Sequence, residues 1–189
     1  TEGRIEVDGE EVVIGSPAKA IGRGIGYVGE DRSSGIVPRM SVAANITLAS
    51  LDRISRAGVI DFDEEHRLAA GYVGELAIRT SSIDRRVGTL SGGNQQKSVL
   101  ARWLCTDARV LLLDDPTRGI DVGAKEEVFR LARRLAEQGV GILYFTSELK
   151  EARALADRVL VMAGGKIVAE TDPSTAEDEI MTAAGGVRV

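Results

Sequence analysis

Cysteine and histidine occur once each in the 189 residues, as Cys105 and His66. A single thiol excludes an internal disulfide framework and a cysteine-based zinc cluster, and it fits a reducing compartment. His66 has no second histidine or cysteine at ligand spacing, so a solvated helix position is favoured over a metal ligand. A basic excess is also missing. The 24 basic and 29 acidic side chains leave a formal charge of −5, which argues against general binding to nucleic acid or an anionic membrane. The longest apolar stretches, around Val110–Leu113 and Val140–Phe145, fall far short of the roughly 18 residues that span a bilayer. No basic run followed by an apolar run opens the chain, so no signal peptide is expected. The pattern begins mid-stride at Thr1, which predicts a fragment.

The hydrophobic content of 43% is enough for one domain with its own core. Arg4–Val7, the Asp8-Gly9 turn and Val12–Ile14 predict a hairpin. Ser16-Pro17 predicts a capped short helix, and Ile25–Val28 a strand. From Ser41 to about Ile78 the pattern is helical without an intervening strand, with Ser41 and the Asp61–Glu65 cluster marking helix starts. The second half alternates: helix Gly92–Cys105, strand Val110–Leu113, helix Gly123–Gln138, strand Gly141–Thr146 and helix Glu148–Ala156. Strands Val159–Met162 and Lys166–Glu170 follow, then a weak helix and a frayed tail over Asp172–Val189. This is the grammar of a parallel α/β sheet closed by a hairpin. Val110–Leu113, apolar on both sides, predicts a strand covered on both faces. Tyr27 and Tyr144 read as core strand aromatics, and Cys105 as a packed thiol.

Two stretches carry chemistry. Val110–Thr117 is an apolar strand ending in Asp114-Asp115, which puts carboxylates at the carboxyl edge of a sheet, where α/β folds bind ligands. Asp114 suits a nucleotide's magnesium ion, usually through water, and Asp115 suits an attacking water; the competing reading is a plain acidic turn. Leu90–Lys97 places Ser91, Gly92 and Gly93 at the start of a helix, where bare amides and the dipole attract an anion. A Ser cap with a flexible turn is the competing reading there.

Together these residues resemble the ATP-binding cassette (ABC) family of transporter ATPases. Leu90–Gln96 is similar to its signature sequence, and Leu111–Thr117 to its Walker B strand. Asp121 matches the D-loop aspartate, Val28-Gly29-Glu30 the Q-loop, and Thr146-Ser147-Glu148 the switch region. Glu30-Asp31-Arg32, Asn94–Lys97, Thr117–Lys125 and Ser147-Glu148-Leu149 further resemble the second cassette of tandem ATPases that power bacterial monosaccharide importers of the ribose, galactose, arabinose or xylose type.

The resemblance implies an α/β P-loop NTPase (RecA-like) parallel-sheet core with an inserted helical subdomain, incomplete at its amino end. Residues 1–40 would form the hairpin and Q-loop region and 41–90 the helical subdomain. Residues 91–170 would carry the signature helix, Walker B, D-loop and switch region, and 171–189 the tail. It implies ATP and Mg²⁺ as cofactors, with Ser91, Gly92, Gly93 and Gln95 serving ATP held by the P-loop of a second, head-to-tail cassette. Asp114 would hold the metal, Asp115 and Ser147 would be catalytic, and Glu30 and Asp121 would act in the Q- and D-loops. The implied partners are sugar-permease subunits and, indirectly, a sugar-binding protein, at the cytoplasmic membrane face. The Ser41–Ile78 segment and the Glu30 loop would touch the permease.

A phosphate-cradling Gly-x-x-x-x-Gly-Lys-[Ser/Thr] loop is absent: Gly165-Lys166 is followed by Ile167, and Lys97-Ser98 is preceded by Gln96. This predicts truncation before Thr1, little activity in isolation, and exposed apolar sheet surface. Three positions depart from the general family pattern. Asp115 stands in place of glutamate, Glu30 in place of glutamine and Ser147 in place of histidine. They admit an alternative, a catalytically weak cassette acting as a structural or allosteric half of the ATP sandwich. A cassette serving DNA repair or translation is disfavoured by the missing basic surface and by the importer-type residues Glu30 and Asn94.

Overall fold

The computed structural model describes residues 4–7, 9–31 and 35–185. Asp8, Arg32 and residues 186–189, on which parts of the turn, loop and tail expectations fall, lie outside them. The chain divides into two compact units, one running to Leu143 and one from Tyr144 onward.

The first unit opens with a hairpin, β1 (Glu6–Val7) against β2 (Glu10–Glu11). Helix α1 (Pro17–Gly22) begins where Ser16 Oγ accepts from the Lys19 amide and Pro17 occupies the first turn. Strand β3 (Ile25–Val28) follows. Helix α2 (Val42–Thr47) starts at Ser41, whose Oγ accepts from Ala44 N at 3.0 Å. Between it and the next helix the structure places a hairpin, β4 (Ser55–Arg56) with β5 (Val59–Ile60). That corrects the reading of a strand-free segment. Ala57 and Gly58 turn the hairpin with φ of 51° and 81°, and two-residue strands are too short to show alternation. Helix α3 (Phe62–Glu75) starts at Asp61, which accepts from Glu64 N at 3.1 Å, with Asp63, Glu64 and Glu65 at the dipole's positive end.

A 3₁₀ turn (Val87–Thr89) leads to α4 (Gly92–Leu104), β6 (Val110–Asp114), α5 (Val122–Glu137) and β7 (Gly141–Phe145). The sheet order is β3-β6-β7, and β3 and β6 are parallel, with Ile25 opposite Val110 and Val28 opposite Leu113. Val42, Ile46, Leu100, Leu111 and Val128 are among the fully buried side chains of the core. Arg102 reaches into it, donating to the carbonyls of Asn45 and Gly35 at 2.7 and 2.8 Å; burial lowers its pKa.

Among the described residues, only one face of β6 is fully buried. Leu111 and Leu113 are buried, whereas Val110, Leu112 and Asp114 are half-exposed, which corrects the expectation of cover on both faces. Tyr27 is likewise no core residue. It is 51% exposed, while its neighbour Gly26 is buried against α4, where a Cβ would come within 2.8 Å of Trp103 Cβ. Alternation along β3 sends the two residues to opposite faces.

Lys97, on α4, is 4% exposed and donates to Glu127 of α5 at 2.7 Å and to the Ala77 carbonyl at 3.1 Å. The Lys97 hydrogen bond holds the Glu127 pKa below the ordinary carboxylate value. A lowered folded pKa contributes stability above the unfolded pKa and loses it as pH falls through the folded one. Glu127→Ala is therefore expected to cost about 2–3 kcal/mol near neutrality, by stranding a buried ammonium, and to flatten the acid limb of the stability profile. Urea unfolding at several pH values reads both effects.

The second unit carries α6 (Leu149–Leu155), the antiparallel pair β8 (Val159–Ala163) and β9 (Lys166–Thr171), and α7 (Glu177–Gly185). Val159, Val161 and Ile180 form its core, flanked by Leu149 and several alanines. Gly164 and Gly165, at φ 55° and 76°, make the tight turn between its strands. No helix among the described residues is long and apolar enough to cross a membrane.

Candidate functional site

Two parallel strands end side by side, and their following loops meet. Asp114 closes β6, and its Oδ2 accepts from Tyr27 Oη at 2.8 Å across from β3. This hydrogen bond raises the Tyr27 pKa, so the phenol stays a donor. Glu30, two residues beyond β3, forms an ion pair with Arg118, four beyond β6. The Glu30 carboxylate thus has a cationic partner from the neighbouring loop. Asp115 sits in the turn after β6 at φ 44°, a left-handed conformation that Asp tolerates better than most residues, and its carbonyl accepts from Arg118 N.

Helix α4 presents the second cluster. A five-residue connection, residues 105–109, reverses the chain between α4 and β6, so the start of the helix and the end of the strand point to the same sheet edge. Ser91 is the N-cap residue, yet its side chain makes no capping hydrogen bond to the helix backbone. The first intrahelical bond from this end is Gln95 N to Ser91 O at 2.9 Å. The amides of Gly92, Gly93 and Asn94 therefore lie in the helix's first turn, where no intrahelical acceptor exists. Gly93 is also a packing requirement: a Cβ there would stand 2.7 Å from Ala124 Cβ in the first turn of α5. Gly93→Ala is expected to push the two helix starts apart and cost about 1–3 kcal/mol, measurable by chemical denaturation.

Asp121 is the N-cap of α5, its Oδ1 accepting from Ala124 N at 3.0 Å, so the D-loop candidate and the signature candidate abut through Ala124 and Gly93. The Gln95 side chain turns back, donating to the Leu90 carbonyl at 2.9 Å. Ser147, in the second unit, is exposed just beyond β7. Its neighbour Thr146 and Tyr144 both donate to Glu151 Oε2, at 3.1 and 2.8 Å. Glu151 is 3% exposed, so this cluster anchors the segment that carries Ser147.

Sequence reasoning named Tyr27, Arg118 and Asn94 but gave none of them these contacts. The first two act across strand ends that only the β3–β6 pairing brings together, and the third answers to Arg79, fifteen residues away. His66 pairs with Asp84 at 3.2 Å. Cys105 is buried and accepts from Ser50 Oγ at 3.0 Å, and burial pushes its thiol pKa up.

The Asp114 carboxylate is a hard oxygen donor and fits a magnesium ion, which takes one or two carboxylates, waters and phosphate oxygens. The first turn of α4 fits an anion. The cation donor and the anion-binding helix start are separate features of the first unit, each able to serve a nucleotide.

Comparison with known proteins is consistent with that chemistry. The sequence model of the family described as ABC transporter matches residues 1–118. The chain is 48% identical over 187 residues to the putative ribose/galactose/methyl galactoside import ATP-binding protein 1 of Agrobacterium fabrum, covering 97% of this chain and 37% of that protein. It is 46% identical over 187 residues to the xylose import ATP-binding protein XylG of Thermoanaerobacter pseudethanolicus, covering 98% and 37%. The chain thus spans little more than a third of the length of these curated relatives. Among solved structures, a nucleotide-free ATP-binding cassette from an ABC transporter superposes with a TM-score of 0.76 at 21% identity, covering 97% of this chain and 74% of that one. The α/β fold with its parallel strands is therefore that of an ABC ATPase cassette.

Proposed function

Since the chain belongs to the ABC transporter family, we propose that it serves the ATP-binding machinery of a monosaccharide importer, with its signature helix completing a nucleotide site on a second cassette. The observation that carries this reading is the start of α4, where Ser91 leaves the first-turn amides uncapped. Those amides suit the terminal phosphoryl of an ATP molecule held mainly by the partner's P-loop. The sugar-import assignment rests on what the relatives are named for, and ribose and xylose names among them leave the sugar unassigned.

Within the chain's own half-site, Asp114 would hold Mg²⁺ through water, and Tyr27 fixes one of its oxygens. Bound Mg²⁺ would neutralise phosphate charge. Asp115 would orient the lytic water there. In the second unit, Ser147 would be a neutral hydroxyl where the family uses a histidine. Glu30 adds no uncompensated charge to this half-site, because Arg118 pairs with it. Asp121 holds α5 at its first turn and so supports Gly93 from behind. Gln95 acts on the loop before the helix, through Leu90. The segment carrying α2, the β4–β5 hairpin and α3, with the Glu30 loop, is assigned to the permease contact, on the cytoplasmic face of the membrane. The second reading, a weak cassette that shapes its partner's site, is favoured by the short Asp115 side chain and the neutral Ser147.

Photolabelling tests the first reading. ATP carrying a photoreactive group on its γ-phosphate is bound to the partner cassette, and the labelled peptides of this chain are mapped by mass spectrometry. Label on residues 91–93 is the expected result. Label confined to other segments would overturn it. Single-turnover hydrolysis with each half disabled in turn separates the two readings.

A further inference from the structure

We propose that Asn94 is the positioning residue that fixes the Ser91 hydroxyl as a hydrogen-bond donor toward the bound nucleotide, an inference that rests on the signature reading above. The Arg79 backbone amide can only donate. It gives its hydrogen to Asn94 Oδ1 at 2.7 Å. That bond decides which way round the Asn94 amide lies, so Nδ2 faces Ser91 and donates to its Oγ at 2.8 Å. Ser91 Oγ is thereby an acceptor on this side, and its own hydrogen is directed elsewhere.

An N-cap serine ordinarily accepts from a backbone amide two or three residues on, an arrangement worth about 0.5–2 kcal/mol. Ser91 forgoes that bond. The same side-chain contact therefore has two effects. It orients the hydroxyl hydrogen outward, and it keeps the serine oxygen from consuming an amide of the first turn. The amides and the hydroxyl are then all donors at one helix start, the polarity a phosphoryl oxygen requires. Arg79 is itself held by Glu127 at 3.0 Å, and Glu127 by buried Lys97, so the chain of contacts ends in the core.

Asn94→Asp isolates the effect. The aspartate can still accept from Arg79 N, but its other oxygen cannot donate, so the Ser91 hydroxyl must turn its hydrogen inward. In the complete polypeptide that carries this sequence, ATP-driven association of the two cassettes is measured by sedimentation at rising ATP, with ADP as control. Asn94→Asp is expected to weaken ATP-driven association about tenfold or more, the worth of a charge-assisted hydrogen bond, and to leave the ADP control unchanged. Asn94→Ala, which adds no charge, is expected to weaken it about three- to tenfold.

The double-variant cycle removes the electrostatic explanation. On a Ser91→Ala background the further effect of Asn94→Asp is expected to fall below about twofold, whereas repulsion of phosphate by the new carboxylate would persist. Thermal unfolding should hold near the parent value, since an acid in a helix's first turn is favourable. Should Ser91→Ala weaken association while neither Asn94 variant does, or should the Asn94→Asp effect survive on the Ser91→Ala background, the positioning role is overturned and the signature reading stands. Should Ser91→Ala itself leave association unchanged, the signature reading fails, and the positioning role fails with it.

Discussion

Ser91→Arg is expected to abolish ATP-driven association of the two cassettes, the largest effect of any single substitution at this site. The reason is steric before it is electrostatic. Ser91 caps a helix whose next residues are two glycines, and Gly93 already lies against Ala124 with no room for a methyl group. On the proposed reading, a seven-atom side chain at the cap would occupy the space through which a partner's triphosphate would approach the first-turn amides. Its positive charge would attract a phosphate, but it would hold that phosphate several ångströms from the amides and hold the partner cassette off with it. The loss should exceed a hundredfold in association, because it removes the hydroxyl and blocks several charge-assisted amide bonds at once, each worth about 1.5–3 kcal/mol. Sedimentation in ATP, with thermal unfolding to confirm an intact fold, reads the result. Association equal to that of the parent would count against the signature role.

How much of this was legible in the sequence depended on how local the cause was. Ser16, Ser41 and Asp61 announced their helices because a cap and the amide it serves are three residues apart. The end of the helix expected over Gly123–Gln138 was legible for the same reason, since the chain turns at Gly139, φ 92°, directly after the Gln138 cap. The acidic end of β6 was legible from an apolar run meeting Asp114. The β4–β5 hairpin was not, because two residues per strand leave no period to read. Tyr27 was misjudged because alternation says only that it and Gly26 face opposite ways, not which face is covered. The Glu30–Arg118 pair spans 88 positions and exists only because β3 and β6 are neighbours in the sheet. The Ser91–Gly93 helix start could be singled out, but the Asn94 link to Arg79 and Ser91 could not, since it depends on how residue 79 returns beside α4.

Asp115→Glu is expected to raise single-turnover hydrolysis at this half-site about tenfold or more in the complete polypeptide. A general base in reach of its water typically contributes about 10²–10⁴-fold, and Asp115 is one methylene shorter than the glutamate most cassettes place there. The turn keeps its backbone anchor. Arg118 N anchors it to the residue 115 carbonyl, a backbone bond the substitution keeps, and Arg118 is tied to Glu30 besides. The cost is conformational. At φ 44° a glutamate lacks the local tolerance of aspartate, so about 1 kcal/mol of stability should be lost and some of the gain offset. Two further variants locate the remaining limit. If Asp115→Glu is silent while Asp115→Glu with Ser147→His is fast, the missing cation at position 147 is limiting. If both are silent and the fold is intact, this half turns over no ATP of its own, and the cassette acts through the site it completes on its partner.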